Sequence, residues 1–276
     1  MNRRDACVLG LASAAGLAHA FGPGLVIGRG GKWVAPDIAR VQARGELIVA
    51  MNSNDSPPFY YRKDKEGQLL GSDVRMAEQL ALEIGVTLYI DRTPRSFDQV
   101  IEMVGRGAAD MGISKLSRTL KRQQAVMFSE PYLRLKHAFL LNRVELQRLS
   151  KDRTLDQVVR DFRGTIGVIE GTSYHGFAAE NFPHAKRVTY PNWDALVAAV
   201  KKGEVACAYR DEFEVRRALS QQPALAITLK TVAFSDLEDT LGIAVGYRDH
   251  ALLAVANQYL EGSEKLTVEK VLNELK

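Results

Sequence analysis

The chain of 276 residues carries 37 Lys and Arg against 33 Asp and Glu, a net charge of +4, and 46% of its residues are hydrophobic. These values are typical of an ordinary globular protein larger than one average domain, and they exclude a disordered chain. The basic residues are dispersed among acidic ones and form no long basic run, so the composition argues against nucleic-acid binding.

The N-terminus has the pattern of an export signal. Paired arginines at 3–4 precede an apolar, alanine-rich stretch over 6–18, and Ala18-His19-Ala20 provides the small residues of a signal peptidase site. The apolar stretch is too short for a transmembrane anchor, which needs roughly 20 residues. We predict a signal peptide over 1–20 and a periplasmic mature protein that begins at Phe21. The arginine pair resembles a twin-arginine signal, and the general secretory route is the alternative.

The first elements after the signal predict an alternation of strands and helices. Residues 21–32 are glycine-rich and are read as a flexible leader, and 33–44 as a short helix. A strand is predicted over 47–51 and another over 86–90. Between them, a helix begins at Ser72-Asp73 and is stopped by Gly85. This βαβ order predicts one α/β lobe.

Two stretches far apart in the sequence have the same layout. They begin at Ser96-Phe97-Asp98 and at Asn192-Trp193-Asp194, and each combines a capping residue, an aromatic residue, an aspartate, a short apolar helix and a glycine stop. Each continues into an apolar run, over 109–114 and 205–211, typical of a buried strand in a parallel sheet. We therefore predict two similar lobes whose strand ends face a shared crevice, where small ligands bind in open α/β sheets.

The second lobe is predicted from four further segments: a strand over 137–142, a helix over 155–162, a strand over 165–169 and a turn at Gly171-Thr172-Ser173. The turn leads into a helix that contains 177–180. Backbone N–H groups at that helix start favour an anion, although Thr172 or Ser173 could equally serve only as the helix cap. Once the signal is removed, Cys207 is the remaining cysteine, so we expect a structural thiol in a buried strand and no internal disulfide.

The chain then returns to the first lobe. A run over 225–232 leads back, and 241–247 is read as the strand that rejoins lobe one. We predict a signal peptide over 1–20, a leader over 21–44, lobe one over 45–135 and 232–276, and lobe two over 136–231. The two crossings, near 133–136 and 231–236, would form a hinge that closes on ligand binding.

A resemblance to a known family is carried by several ordered motifs. The segment Ser114-Lys115-Leu116-Ser117-Arg118-Thr119-Leu120-Lys121-Arg122, followed by Phe128-Ser129-Glu130-Pro131-Tyr132, resembles the ligand-binding signature of the bacterial extracellular solute-binding proteins of family 3. This is the polar amino-acid-binding group that includes the lysine/arginine/ornithine-binding protein. Further matches are Gly71-Ser72-Asp73-Val74, the unit at 96–98, the segment 167–173 and the segment 203–212. The resemblance extends from about Gly45 onward and implies a two-lobed type II periplasmic binding fold of the α/β class.

The resemblance also implies a carboxylate site in lobe one. Arg122 resembles the arginine that grips an α-carboxylate, a role suited to a planar and permanently charged fork. Ser117 and the backbone around Thr119 would assist it. Taken alone, Arg122 could equally be a solvated surface charge.

The other predicted ligand contacts come from both lobes. Asp211 matches the acidic anchor for an α-ammonium, Ser173 the hydroxyl site at a helix start, and Phe97 an aromatic wall. Taken singly, Asp211 could be a helix cap and Phe97 part of the core. Their joint fit to one zwitterion pocket favours binding. Lys115 departs from the family, which usually has Ser or Gly at this position, and brings a bulky cation near the pocket unless it points outward.

The sequence thus predicts a monomeric periplasmic solute-binding protein without a cofactor. Its ligand would be a small zwitterion or anion, foremost an amino acid, delivered to the membrane permease of an ABC importer. No metal-ligand cluster, nucleophilic triad or P-loop stands out, so an enzyme is not expected. Two alternatives remain open: a cyclohexadienyl dehydratase-like enzyme with Glu170 or Glu212 as its crevice acid, and a periplasmic sensor or accessory binding protein.

Overall fold

The computed structural model describes residues 24–64 and 67–275. The predicted signal peptide over 1–20, with its cleavage site before Phe21, lies outside the described residues. No helix within the two described ranges has both the length and the apolar character that a membrane crossing requires.

The strands of the described chain fall into two large sheets and two small ones. They are β1 (Val26–Ile27), β2 (Trp33–Val34), β3 (Glu46–Ala50), β4 (Tyr61–Arg62), β5 (Leu69–Leu70), β6 (Thr87–Asp91), β7 (Met111–Gly112), β8 (Met127–Phe128), β9 (Leu133–Asn142), β10 (Thr165–Ile169), β11 (Lys186–Tyr190), β12 (Cys207–Asp211), β13 (Leu229–Leu241) and β14 (Ala244–Val245).

Helices connect these strands and cover the sheets. They are α1 (Pro36–Arg44), α2 (Ser72–Ile84), α3 (Phe97–Gly105), α4 (Leu120–Gln123), α5 (Arg143–Ser150), α6 (Leu155–Arg160), α7 (Ser173–Asn181), α8 (Trp193–Lys202), α9 (Glu212–Gln221), α10 (Leu225–Thr228), α11 (His250–Gly262) and α12 (Val268–Asn273).

The two large sheets have the same architecture. Their strand orders are β6-β3-β7-β14-β8 and β11-β10-β12-β9-β13. In each, the first three strands run parallel and the last two pair antiparallel with their neighbours. This correspondence confirms the predicted pair of similar α/β lobes.

Helix caps in the repeated unit explain why the two lobes have the same architecture. The Ser96 side chain accepts a hydrogen bond from Gln99 N at the start of α3, and the Asn192 side chain accepts one from Ala195 N at the start of α8. Gly203 ends α8 in the left-handed conformation (φ 75°), which favours glycine. Each helix is followed by the middle strand of its sheet, β7 or β12.

The two long strands β9 and β13 carry the chain between the lobes. They pair antiparallel with each other, but their register shifts between Ala233 and Glu238. The half before the shift lies in the second sheet, and the half after it continues through Leu241 toward β14 of the first sheet. The predicted returning strand over 241–247 is therefore wrong in its bounds. Residues up to Leu241 pair with the long strand β9 and belong to β13, and the strand that follows, β14, is only Ala244–Val245.

The segment read as a leader contributes to the first lobe. Val26–Ile27 and Trp33–Val34 form an antiparallel hairpin, so the described part of the glycine-rich run has regular structure. Helix α1 buries Val41 in the core of the first lobe. The Asp37 side chain accepts hydrogen bonds from Ala251 N and Leu252 N at the start of α11. Helix α1 thus anchors the start of α11, which a free leader would not do.

Candidate functional site

A small cleft lies between the two lobes where the predicted ligand contacts meet. Its lining residues are Phe97, Lys115, Ser117, Thr172, Ser173, Tyr174, Arg210, Asp211, Asp239 and Leu241. The cleft has a volume of about 10 Å³, which is room for about one water molecule. A larger hollow of about 380 Å³ is lined by residues of α6, α7 and β13, and it contains none of the predicted site residues.

Five of the seven predicted contacts line this cleft, and two do not. Phe97, Lys115, Ser117, Ser173 and Asp211 face it, whereas Thr119 and Arg122 lie beside it. Phe97 also packs against the apolar core around α3. Within the described chain, no three His, Cys, Asp or Glu side chains are grouped as a metal site.

Two serines join the lobes across the cleft. Ser117 Oγ lies 2.8 Å from Ser173 Oγ, and it donates to Asp239 Oδ2 at 2.8 Å. Ser117 follows β7 of the first sheet, whereas Ser173 begins α7 of the second lobe. The cleft is therefore closed, with hydroxyl groups of both lobes in direct contact.

Lys115 fills the centre of the charged part of the cleft. Its Nζ donates to Asp211 Oδ2 at 3.2 Å and to Glu214 Oε1 at 2.8 Å. Burial alone would raise the pKa of Glu214, but the Lys115 and Arg217 cations outweigh burial and hold that pKa well below its usual value. The predicted cation near the pocket thus points inward, and it pairs with acids of the other lobe.

Asp211 caps a helix and also pairs with a cation of the other lobe. Its Oδ1 accepts a hydrogen bond from Glu214 N and caps α9, while its Oδ2 accepts from Lys115. The carboxylate is almost fully buried, and these donors satisfy its oxygens. Asp211 is therefore a helix cap and a charged group of the cleft at once.

Arg122 faces a partner that sequence reasoning did not anticipate. Its Nε and Nη2 donate to Asp98 Oδ1 at 3.1 and 2.9 Å, and its Nη1 donates to the carbonyl oxygen of Ser117 at 3.1 Å. Thr119 caps α4, because its Oγ1 accepts from Arg122 N. The guanidinium is buried next to the cleft, with its fork on an aspartate of the chain itself.

Three further polar residues line the cleft, Tyr174, Arg210 and Asp239, of which Arg210 and Asp239 were missed by sequence reasoning. Buried polar atoms of all three, Tyr174 OH, Arg210 Nε and Asp239 Oδ1, have no hydrogen-bond partner within the described structure. Burial raises the pKa of Asp239 to about 7, and the nearby Asp211 carboxylate adds to this. An acidic residue inside an otherwise strand-forming stretch was the available signal for Asp239.

The two acids named for an enzymatic role do not line the cleft. Glu170 is exposed, and Glu212 accepts a hydrogen bond from Lys136 N. The titratable carboxyl that does face the cleft, and that can hold a proton near neutral pH, is Asp239. Cys207 is a free, buried thiol whose pKa is raised by burial, in keeping with a structural role.

Comparison with known proteins agrees with this architecture. The profile of the bacterial extracellular solute-binding proteins, family 3, matches residues 47–203, which is more than half of the chain. The arginine-binding periplasmic protein of Mannheimia haemolytica is 27% identical over 171 residues, covering 62% of this chain and 65% of that protein, a little under two thirds of its length. The cyclohexadienyl dehydratase of Pseudomonas aeruginosa is 27% identical over 227 residues, covering 82% and 80%.

Two solved structures have the same architecture. An ancestral amino acid-binding protein, described as a precursor of cyclohexadienyl dehydratase, aligns with a TM-score of 0.66 at 26% identity and covers 86% of this chain and 98% of that one. The lysine complex of a putative ABC transporter binding component from Wolinella succinogenes aligns with a TM-score of 0.65 at 27% identity, covering 79% and 89%.

Two similar lobes with a cleft between them and two connecting strands define a type II periplasmic binding protein fold. The profile match then assigns the family: the chain belongs to the bacterial extracellular solute-binding proteins, family 3. Both statements confirm what the signature around Ser117 and Arg122 implied.

Proposed function

We propose that this protein is a periplasmic solute-binding protein that encloses a small carboxylate-bearing solute between its lobes and delivers it to an ABC importer. The observation that carries the proposal is the convergence of side chains from both lobes on one cleft, where Ser117 contacts Ser173. Amino acids are the leading solutes by relationship, since relatives are named for arginine and histidine.

Capture requires the lobes to open and close again. The closed cleft has room for about one water, so a solute enters only when the lobes separate. The register shift between Ala233 and Glu238 interrupts the pairing of β9 with β13 at the lobe crossing and is the natural place for that bend. On closure, the excluded water strengthens the interaction of the solute carboxylate with nearby donors.

A thermal-shift screen of the mature protein tests the binding function. The panel contains amino acids, 2-hydroxy acids, 2-oxo acids and dicarboxylates. A ligand present at 100 times its Kd stabilises the folded state by about 2.7 kcal/mol, which raises Tm by about 5 to 10 °C in a chain of this size. Arg122→Ala should abolish the shift, while Lys186→Ala, an exposed site on the edge strand β11, should retain it.

Delivery to an importer has its own test. The mature protein, cross-linked in envelope extract with its ligand bound, should capture the permease subunits of an ABC importer. Capture of a receptor or an envelope enzyme in their place would assign the protein to a sensory or accessory role and would contradict delivery.

A second candidate function is elimination from a bound acid. The buried carboxyl of Asp239 faces the cleft with a pKa of about 7, so it can hold the proton that a leaving hydroxyl needs. The similarity to a cyclohexadienyl dehydratase covers 82% of the chain. The test is incubation with a cyclohexadienyl carboxylic acid, followed by the ultraviolet absorbance of an aromatic product. Activity that Asp239→Asn removes would favour the enzyme, and binding without turnover would exclude it for this substrate.

A further inference from the structure

Lys115 has an uncommon backbone conformation directly after the middle strand of the first sheet. Its φ of 49° lies in the left-handed region, which residues other than glycine adopt rarely and often at functional sites. The backbone N–H of Lys115 donates to Asp73 Oδ2 at 2.7 Å and holds the loop in place. This conformation accompanies a side chain that is only 3% exposed and crosses into the other lobe.

The surroundings of Lys115 Nζ are those of an ammonium-binding subsite. Two carboxylates, Asp211 at 3.2 Å and Glu214 at 2.8 Å, accept its hydrogen bonds. Two aromatic rings, Phe59 and Phe213, lie with their centroids 5.2 and 5.0 Å from Nζ, within the range of cation–π contacts. Acids and aromatic faces are the groups that recognise a ligand ammonium, and here they enclose the cation of the chain itself.

This occupancy leaves neither Asp211 nor Glu214 free for a second ammonium. Asp211 Oδ1 is engaged by Glu214 N, and its Oδ2 by Lys115 Nζ. The carboxylate of Glu214 is shared between Lys115 and Arg217. A ligand ammonium placed against Asp211 would lie within a few ångströms of Nζ in a site closed to water, where like charges repel strongly.

Two donors of the cleft remain without hydrogen-bond partners in the described part of the chain, and they point to an anion. Arg210 Nε is buried and has no hydrogen-bond acceptor within the described structure, and it lies 3.6 Å from Asp211 Oδ2, beyond hydrogen-bond range. Tyr174 OH is likewise buried without a partner and lines the same cleft. An arginine and a hydroxyl next to Ser117 and Ser173 are donors suited to a carboxylate.

We infer that Lys115 takes the place of the ligand ammonium and that the ligand is a carboxylic acid without a protonated α-amino group, held by Arg210 and Tyr174 together with Arg122. The inference rests on the proposed binding function and narrows its ligand class. It makes Lys115 the residue that determines specificity. The same chain position would admit α-amino acids if its side chain were small.

Titration calorimetry with matched pairs tests this on the purified mature protein. Each pair differs only in the α-ammonium: L-lysine with 6-aminohexanoate, L-phenylalanine with 3-phenylpropanoate, and L-glutamate with glutarate. We expect the wild type to bind the deaminated member of at least one pair at least about tenfold more tightly than the amino acid, a difference of about 1.4 kcal/mol. An amino acid that binds the wild type as tightly as its deaminated partner overturns the inference and leaves the proposed function standing.

Two variants distinguish the effect of removing the bulk of the Lys115 side chain from the effect of removing its charge. Lys115→Ser opens the subsite and should gain binding of an α-amino acid by at least about tenfold, because Asp211 and Glu214 then face the ligand. Lys115→Met removes the charge but keeps the stem, and should gain no such binding. Glu214 keeps its pair with Arg217, so both variants should fold, as circular dichroism and melting can check. An unchanged preference in Lys115→Ser overturns the inference. If neither the wild type nor Lys115→Ser binds any compound of the three pairs, both the inference and the proposed function are contradicted.

Discussion

The stability of the folded protein depends on pH through the protonation of Asp239. Its carboxyl ionises near 3.8 in an unfolded chain but has a pKa of about 7 in the structure, chiefly because it is buried. Hydrogen bonding from Ser117 and the charges of Lys115 and Arg122 lower this pKa, and the Asp211 carboxylate raises it. Between the two pKa values the folded protein binds more protons than the unfolded chain, so the contribution to stability is full below pH 3.8 and is lost as the pH rises through 7.

Asp239→Asn should remove this dependence. We expect the Tm of the wild type relative to Asp239→Asn to fall by several degrees between pH 5 and pH 8, measured by differential scanning calorimetry. Burial also lowers the pKa of His137 to about 4, which has the opposite effect, but His137 is common to both proteins and cancels in the difference. Parallel Tm profiles would contradict the raised pKa.

The fork of Arg122 is held by an aspartate that a ligand could displace. Asp98 is 55% exposed, so its pair with Arg122 is weak, at about 0 to 1 kcal/mol. If Arg122 binds the ligand carboxylate, Asp98→Asn removes a competitor and should strengthen binding about two- to fivefold. Arg122→Ala should weaken it by at least a hundredfold, since a buried charge pair loses about 3 to 5 kcal/mol when one partner is removed. Both are read by calorimetry, and weaker binding by Asp98→Asn would argue against competition.

The contacts of individual side chains mark the limit of sequence reasoning at this scale. The motif around Ser117 identified the residues that meet at the cleft because their order along the chain is local information. The pairing of Lys115 with Asp211 joins residues of different lobes, and the pair of Arg122 with Asp98 joins two helices. Neither follows from spacing, since both depend on how the finished elements face each other.

At the scale of elements, the two repeated helices depend on equivalent caps. Ser96 and Asn192 each accept one backbone N–H that would otherwise be unsatisfied. Ser96→Ala and Asn192→Ala should each cost about 1 kcal/mol and lower Tm by about 2 to 4 °C in a chain of this size. The matched control is Ser235→Ala, an exposed serine that caps no helix and should change Tm little. A cap variant that melts like the control would contradict the role of its cap.

The same caps explain why these elements could be predicted. A capping residue, an apolar face and a glycine stop are all encoded within about a dozen neighbouring residues, as in α3 and α8. The sequence prediction divided the long strand β13 into separate segments, because no residue pattern within β13 indicates the strand with which it pairs. Its bounds are set by β9, which pairs with it on both sides of the register shift. The hairpin at Val26–Val34 was missed for a related reason, since a glycine-rich run gives no period.

For the whole molecule, export predicts a defined N-terminus. The apolar stretch over 6–18 and the small residues at Ala18-His19-Ala20 place the cleavage before Phe21. Intact mass spectrometry of protein recovered from the periplasm should give a chain that begins at Phe21. Replacing Ala20 by a bulky residue, as in Ala20→Phe, should block cleavage at this bond and serves as the control. A full-length product recovered from the cytoplasm would contradict export.

Closure of the whole molecule depends on contacts that one lobe makes inside the other. Phe213 of α9 is fully buried in the core of the first lobe, against Phe59, and Lys115 of the first lobe is buried against acids of α9. Opening exposes the ring and separates the ion pair. Both contacts therefore favour the closed form before any ligand is bound.

Removing the internal cation should shift the ligand-free protein toward the open form. A compact chain of this length has a radius of gyration of about 18 to 19 Å. By small-angle scattering without ligand, we expect Lys115→Ala to have a larger radius of gyration than the wild type, because the acids of α9 lose the charge that holds them to the first lobe. Lys186→Ala, an exposed lysine on the edge strand β11, should match the wild type. Saturating ligand should return an open protein to the compact value, and identical ligand-free profiles for Lys115→Ala and wild type would show that Lys115 does not hold the lobes together.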